Sequence, residues 1–153
     1  MSRPTEAIID LHALRHNYGL AESLAPDSQT IPMVKANAYG HGAIEVATAL
    51  ASMAPAFGVA CIEEAIALRE ANITQPILLL EGTFSADEVT QAEHHNLWLM
   101  VENQPQLEAI LAADLSHQIR VWLGLDTGMH RLGFQPEDLA AAYSALKESR
   151  NVY

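Results

Sequence analysis

Basic residues are scarce in this sequence: two lysines and six arginines face 19 aspartates and glutamates, for a formal charge of −11. A chain so acidic repels phosphate backbones and anionic lipid headgroups, so neither nucleic acid nor a membrane surface is an expected partner. Cysteine is almost missing. The single Cys61 cannot form an internal disulfide, and its place in the apolar run 57–62 reads as a small buried side chain suited to a reducing compartment. No stretch approaches the about 18 consecutive apolar residues that span a bilayer. The opening Met1-Ser2-Arg3-Pro4-Thr5-Glu6 has no apolar segment of the signal-peptide kind. These absences predict a soluble, cytoplasmic protein. Linkers, low-complexity tracts and charge blocks are absent too, so nothing divides residues 1–153 into separate domains. Metal-ligand spacing is also lacking: His94 and His95 are adjacent, their rings diverge on a helix end, and no metal site is expected.

What the sequence does contain is apolar residues, half of the total, enough to build one core. They cluster in short runs at 31–34, 56–60, 77–80, 97–101 and 119–123. Such nearly continuous runs suit strands buried on both faces of a parallel sheet. Stretches of helical period lie between them. Ser85-Ala86-Asp87-Glu88 has capping-box spacing, Asn103 precedes Pro105 at a second start, and Pro136-Glu137-Asp138 makes a third first turn. A short apolar segment at 7–11 and a helix from about His12 to Leu24 come before the first run. The alternation predicts an α/β fold with a parallel sheet of about five βα units, either an open doubly wound layer or a barrel. Periodicity does not choose between them. A closed eight-unit barrel takes about 250 residues, so a barrel here would be partial.

Two stretches carry chemistry. In Pro32-Met33-Val34-Lys35-Ala36-Asn37-Ala38-Tyr39-Gly40-His41-Gly42, a lysine ends an apolar run, at the carboxyl end of the sheet where α/β folds place ligands. Apolar surroundings disfavour a charged amine and free its lone pair for attack on an aldehyde. The glycines beside His41 permit tight turns. The plainer reading of Lys35 is a strand-end side chain reaching solvent. The second stretch, Gly124-Leu125-Asp126-Thr127-Gly128-Met129-His130-Arg131-Leu132-Gly133, follows the fifth run. Arg131 offers forked donors to a phenolate, phosphate or carboxylate. Its plainer reading is an exposed pair with Asp126, with His130 in solvent. Trp98 and Trp122 read as core, and Glu63-Glu64 as carboxylates favouring the start of a helix.

Together the two stretches point further. Val-Lys-Ala-Asn-Ala-Tyr-Gly-His-Gly at 34–42 resembles the pyridoxal-5′-phosphate (PLP) attachment motif of alanine racemases. Leu-Asp-Thr-Gly-Met-His-Arg-Leu-Gly at 125–133 resembles that family's second signature loop, and similarity continues through 57–60, 63–65 and 76–82. The resemblance implies a partial (β/α)8 TIM barrel of the PLP-binding type across residues 1–153, without the family's C-terminal β domain. It implies PLP as cofactor, with Lys35 forming the Schiff base and acting as one acid/base group. Tyr39 would contact the phosphate and Arg131 the phenolic oxygen. The implied substrate is alanine, racemised to supply D-alanine for peptidoglycan, and the implied assembly is a homodimer. The opposite-face base of the family, a tyrosine of the second domain, has no match here, so negligible racemase activity is expected of the chain alone. Gly124 stands where many relatives carry a carbamylated lysine that orients the signature arginine. The alternative is a non-catalytic PLP-binding single-barrel protein, in which the full motifs at 34–42 and 125–133 are not expected.

Overall fold

The computed structural model describes residues 5–153; residues 1–4, most of the polar opening segment, lie outside the described residues. Helix α1 (Leu11–Leu24) starts where the Asp10 carboxylate accepts from the N–H groups of His12 and Ala13, at 2.8 and 3.1 Å. After it come α2 (Lys35–Gly40), a single turn treated below, and α3 (Ala43–Leu50). From there strand and helix alternate: β1 (Phe57–Val59), α4 (Ile62–Glu70), β2 (Ile77–Leu79), α5 (Asp87–His94), β3 (Leu97–Val101), α6 (Gln104–Ala112), β4 (Arg120–Leu123) and α7 (Pro136–Glu148).

Two of the expected helix starts have the anticipated chemistry. Asn103 Oδ1 accepts from the Gln106 N–H at 3.0 Å with Pro105 in the first turn, and Pro136 opens α7. The third differs: Ser85 does not cap α5, and Glu88 instead reaches back to the Phe84 N–H at 2.9 Å. No described helix is long and apolar enough to cross a membrane.

All strand pairings are parallel, in the order β1-β2-β3-β4, so each strand lies beside its neighbour in the chain. The expected strand at 31–34 is reduced to one bridge, Met33 to Gly58. Pro32 has no N–H to extend the ladder, and the backbone turns left-handed directly after Lys35. Two bonds remain, Val34 N–H to the Gly58 carbonyl at 2.8 Å and Gly58 N–H to the Pro32 carbonyl at 3.0 Å. At the opposite edge, Val152 forms a parallel bridge with Ile119.

Register assigns the two faces. Phe57, Val59, Ile77, Leu79, Leu97, Leu99 and Val101 are at most 1% exposed, packed against helical residues such as Leu50, Leu68, Val89 and Ile110. The other face carries the row Gly58, Leu78, Trp98 and Arg120, with Met100 beside Trp122. None of these residues joins the helix-side core. Here the structure corrects the expectation for the tryptophans: Trp122 is 46% exposed, tilted against half-buried Trp98 at 6.0 Å, with the Arg120 guanidinium 5.1 Å from the Trp98 ring. A doubly wound sheet reverses its strand order and is covered by helices on both faces. Sequential order with helices on one face is a segment of barrel wall, which settles the choice that periodicity left open.

Candidate functional site

The site forms at the carboxyl end of the strands. Ala36, Asn37, Ala38 and Tyr39, immediately after Lys35, have φ of +51°, +54°, +51° and +52°. A non-glycine residue in this left-handed region costs roughly 1–2 kcal/mol, so four in succession persist only where the surroundings tie them down. The ties are visible. Glu64, in the first turn of α4, accepts from the Ala36 N–H with Oε1 at 2.7 Å and from the Ala60 N–H with Oε2 at 2.9 Å. Asn37 Oδ1 accepts from the Ala43 N–H at 2.8 Å, and His41 Nδ1 lies 2.8 Å from the Ala38 carbonyl. Glu64 thus links the end of β1 to the residue beside Lys35.

The loop after β4 is held by a buried carboxylate. Asp126 is 8% exposed, and its Oδ1 accepts from the N–H groups of Gly128 and His130, both at 2.9 Å. Its Oδ2 lies 2.8 Å from His130 Nδ1 and 3.4 Å from Gln135 Nε2. The plainer reading of Arg131, a pair with Asp126, does not form: His130 is the partner of Asp126, and Arg131 makes no ion pair among the described residues. The loop closes through the Leu125 to Phe134 bridge.

Between turn and loop lies a cavity of about 570 Å³, lined by Lys35, Glu81, Met100, Glu102, Asp126 and Arg131 among others. Lys35 and Arg131 thus share one cavity, the half-buried amine on one wall and the guanidinium on another. Tyr39 does not line it; the side chain is 69% exposed on the left-handed turn. Elsewhere His94 and His95 stack edge to face at 4.9 Å, and among the described residues no three histidine, cysteine or acidic side chains are placed to hold a metal ion.

The sequence matches the family described as alanine racemase, N-terminal domain, over residues 9–153. The chain belongs to this family. It is 56% identical over 146 residues to an alanine racemase of Chromohalobacter salexigens, covering 95% of this chain and 40% of that one. It is 53% identical over 150 residues to the catabolic alanine racemase of Pseudomonas aeruginosa, covering 98% and 42%. The crystal structure of the biosynthetic alanine racemase from Pseudomonas aeruginosa superposes with a TM-score of 0.91 at 50% identity, over 95% of this chain and 40% of that one. The chain spans about 40% of the length of the curated relatives it matches.

Sequence reasoning missed two residues of this family member's site. Glu64 carried a faint signal, a paired acid at a helix start, but a dipole argument does not reveal that both its oxygens bind backbone N–H groups of other segments. Glu102 carried none, because a carboxylate just past a strand is ordinary.

The loop yields two predictions. A Cβ at Gly133, where φ is +104°, would stand 2.6 Å from the Asp126 nitrogen and 2.8 Å from the Leu125 carbonyl carbon. Both obstacles are backbone and cannot rotate away. Gly133→Ala is expected to add about 2 kcal/mol of clash and strain, lowering hydrogen-exchange protection at Asp126 and Phe134 about thirtyfold while sheet amides keep theirs. The second concerns pH. The N–H groups of His130 and Gly128 hold the Asp126 carboxyl well below the usual carboxylate range, with smaller help from the His130 ring and Gln135. A depressed folded pKa gives stability that is complete above the unfolded value, about 3.9, and is lost as pH falls from there through the folded value. Protection factors at Gly128 and His130 should therefore hold from neutral pH to about 5 and decline only in stronger acid. Asp126→Ala should remove this dependence and leave both amides poorly protected at every pH.

Proposed function

We propose that this chain is the lysine-bearing part of the barrel of a PLP-dependent alanine racemase. The carrying observation is that Lys35 and Arg131, 96 positions apart, line one cavity at the carboxyl end of a barrel wall. The residues suit the cofactor. A half-buried lysine carries the group that condenses with an aldehyde, and the forked donors of a guanidinium can meet a phenolate oxygen. Tyr39, exposed on the same turn, offers a hydroxyl to the phosphate. PLP, when bound, supplies the electron sink that makes the α-proton of an amino acid removable.

The chain's own residues orient and move protons. The clip from Glu64 to the Ala36 N–H fixes the backbone next to Lys35, so its amine is presented to the cavity at small entropic cost. The Lys35 Nζ would exchange a proton with one face of the substrate carbon, taking it in one direction of the reaction and giving it in the other. Arg131 would hold the phenolic oxygen of the cofactor, and the loop of Asp126 holds the backbone that carries this arginine. Inversion needs a donor on each face, and the cavity offers one amine. We therefore assign racemisation of alanine, homodimer assembly and a role in supplying D-alanine to the complete protein.

Purified chain incubated with PLP and L-alanine tests this reading. Expected is a bound, absorbing cofactor with negligible D-alanine formed; a chain that takes up no PLP would overturn it.

A further inference from the structure

Glu102 holds an orphan. Its Oε2 is buried and has no hydrogen-bond partner among the described residues. The residue directly follows β3, and its N–H donates to Gln106 Oε1 at 2.9 Å, which pins the backbone. The side chain extends across the next strand's end, over Gly124. A Cβ built at Gly124 would come 3.0 Å from Glu102 Cγ, 3.4 Å from Met100 Cε and 3.5 Å from Glu102 Oε1. A side chain at position 124 and Glu102 in this pose thus compete for one space, and the missing side chain gives it to the carboxylate.

The charged groups lining the cavity around Glu102 are Glu81 at the end of β2, Lys35 on its turn, and Asp126 and Arg131 on the loop after β4. Asp126 is saturated by donors from its own loop. Arg131 makes no ion pair among the described residues. Among the described residues, one cavity therefore contains a buried carboxylate oxygen with no donor and a guanidinium with no carboxylate partner. Burial pushes the Glu102 carboxyl up, Glu81 pushes it further, and Arg131 draws it back down. Arg131 is the cation it feels.

We propose that Glu102, in the space left open by Gly124, is the positioning carboxylate of Arg131: it draws the guanidinium from the exposed loop onto the cavity wall and fixes its direction. The consequence for cofactor orientation rests on the functional reading above; the pairing itself does not. Glu102 touches no reacting atom, acts through Arg131, and lies in space that a side chain at 124 would crowd.

The test is a pH titration of the Glu102 side chain by NMR in chain labelled with [13Cδ]glutamate, the resonance assigned by its loss in Glu102→Gln. Arg131→Gln is expected to raise the Glu102 midpoint by about one pH unit, and Arg131→Lys to raise it less. Arg150→Gln, at an arginine paired with exposed Asp114, should leave it in place. An unchanged midpoint in Arg131→Gln, or an equal shift in Arg150→Gln, overturns the pairing. The exposure of Arg131 keeps these variants folded. In a parallel measurement, Glu102→Gln should weaken PLP binding about tenfold, as loss of one charge-assisted contact would. The titration needs no cofactor. A chain that binds no PLP yet shows the coupled midpoint therefore supports the pairing and sinks the functional reading.

Discussion

Lys35→Ala is expected to abolish the borohydride-stable pyridoxyl adduct that the unmodified chain should give when treated with PLP and reductant. The chain has one other lysine, Lys147 in the last turn of α7, exposed and outside the cavity of Lys35. Any aldehyde at high concentration will react to some extent with an exposed amine, so the discriminating quantity is the position of the label at one equivalent of PLP. Mass spectrometry of a digest should place it on the peptide containing Lys35, with Lys147→Ala unaffected. Lys35→Arg sharpens the experiment because it keeps the positive charge and the length but removes the nucleophile. It should lose the adduct as completely as alanine does. Label distributed between Lys147 and the α-amine, or retained in Lys35→Ala, would show that the turn α2 does not present a privileged amine. The effect is all or none because a covalent bond to carbon has no substitute among the other side chains of the cavity.

The pattern of runs made the central strands legible. Residues 97–101 were expected as a strand and form β3 with those bounds, since five apolar residues between two helical patterns leave little else for the backbone to do. The run at 31–34 fails as a strand for a reason written in its own residues, Pro32 without a donor, and one that is not, the left-handed turn after it. Alanine and tyrosine have no preference for positive φ. The glycines at 40 and 42 mark a turn there without disclosing that the four residues before them are inverted. Trp122 illustrates the limit of the burial argument. Apolar residues on both faces of a strand indicate a parallel sheet, but the sequence of one strand does not say whether its second face is covered. On β4, Val121 and Leu123 face the helices and Trp122 faces away.

At the site, residue types were readable and pairings were not. A lysine after an apolar run and an arginine in a glycine-punctuated loop are visible in one dimension, and both line the cavity. Which acid serves which base is decided in three dimensions. Asp126 lies five residues from Arg131 yet binds His130, because His130 adopts φ of +57° and turns both its N–H and its ring onto the carboxylate. Glu64 and Glu102 come from the ends of different strands and helices, so only the sheet's register brings them to Lys35 and Arg131.

The largest stability loss is expected at the opposite end of the sheet, from Arg69→Ala. Arg69 Nε donates to the His95 carbonyl at 2.9 Å and one terminal nitrogen to the Asn96 carbonyl at 3.0 Å; the other donates to Ile73 and Gln75, both at 2.7 Å. These four acceptors belong to the two segments that lead into β2 and β3, so one planar fork fixes the entry of both central strands. Burial disfavours its charge somewhat, and no carboxylate pairs with it among the described residues. The carbonyls therefore do the solvating. Hydrogen bonds from a charged donor contribute about 1.5–3 kcal/mol each, are not additive, and are worth less where water can replace them. Discounted for the half-exposed setting, the net loss is about 3 kcal/mol, a sizeable share of the 5–15 kcal/mol that holds an ordinary domain together. A domain of this size should then melt roughly 10 °C lower. Arg69→Lys should recover only part of this, because an ammonium has three donors and no plane with which to meet four carbonyls on two segments. Circular dichroism melts of the three proteins measure the order directly. If Arg69→Ala melted with the unmodified chain, the carbonyls would have to be satisfied equally well by water, and the guanidinium would be decoration on a sheet held by its apolar face alone.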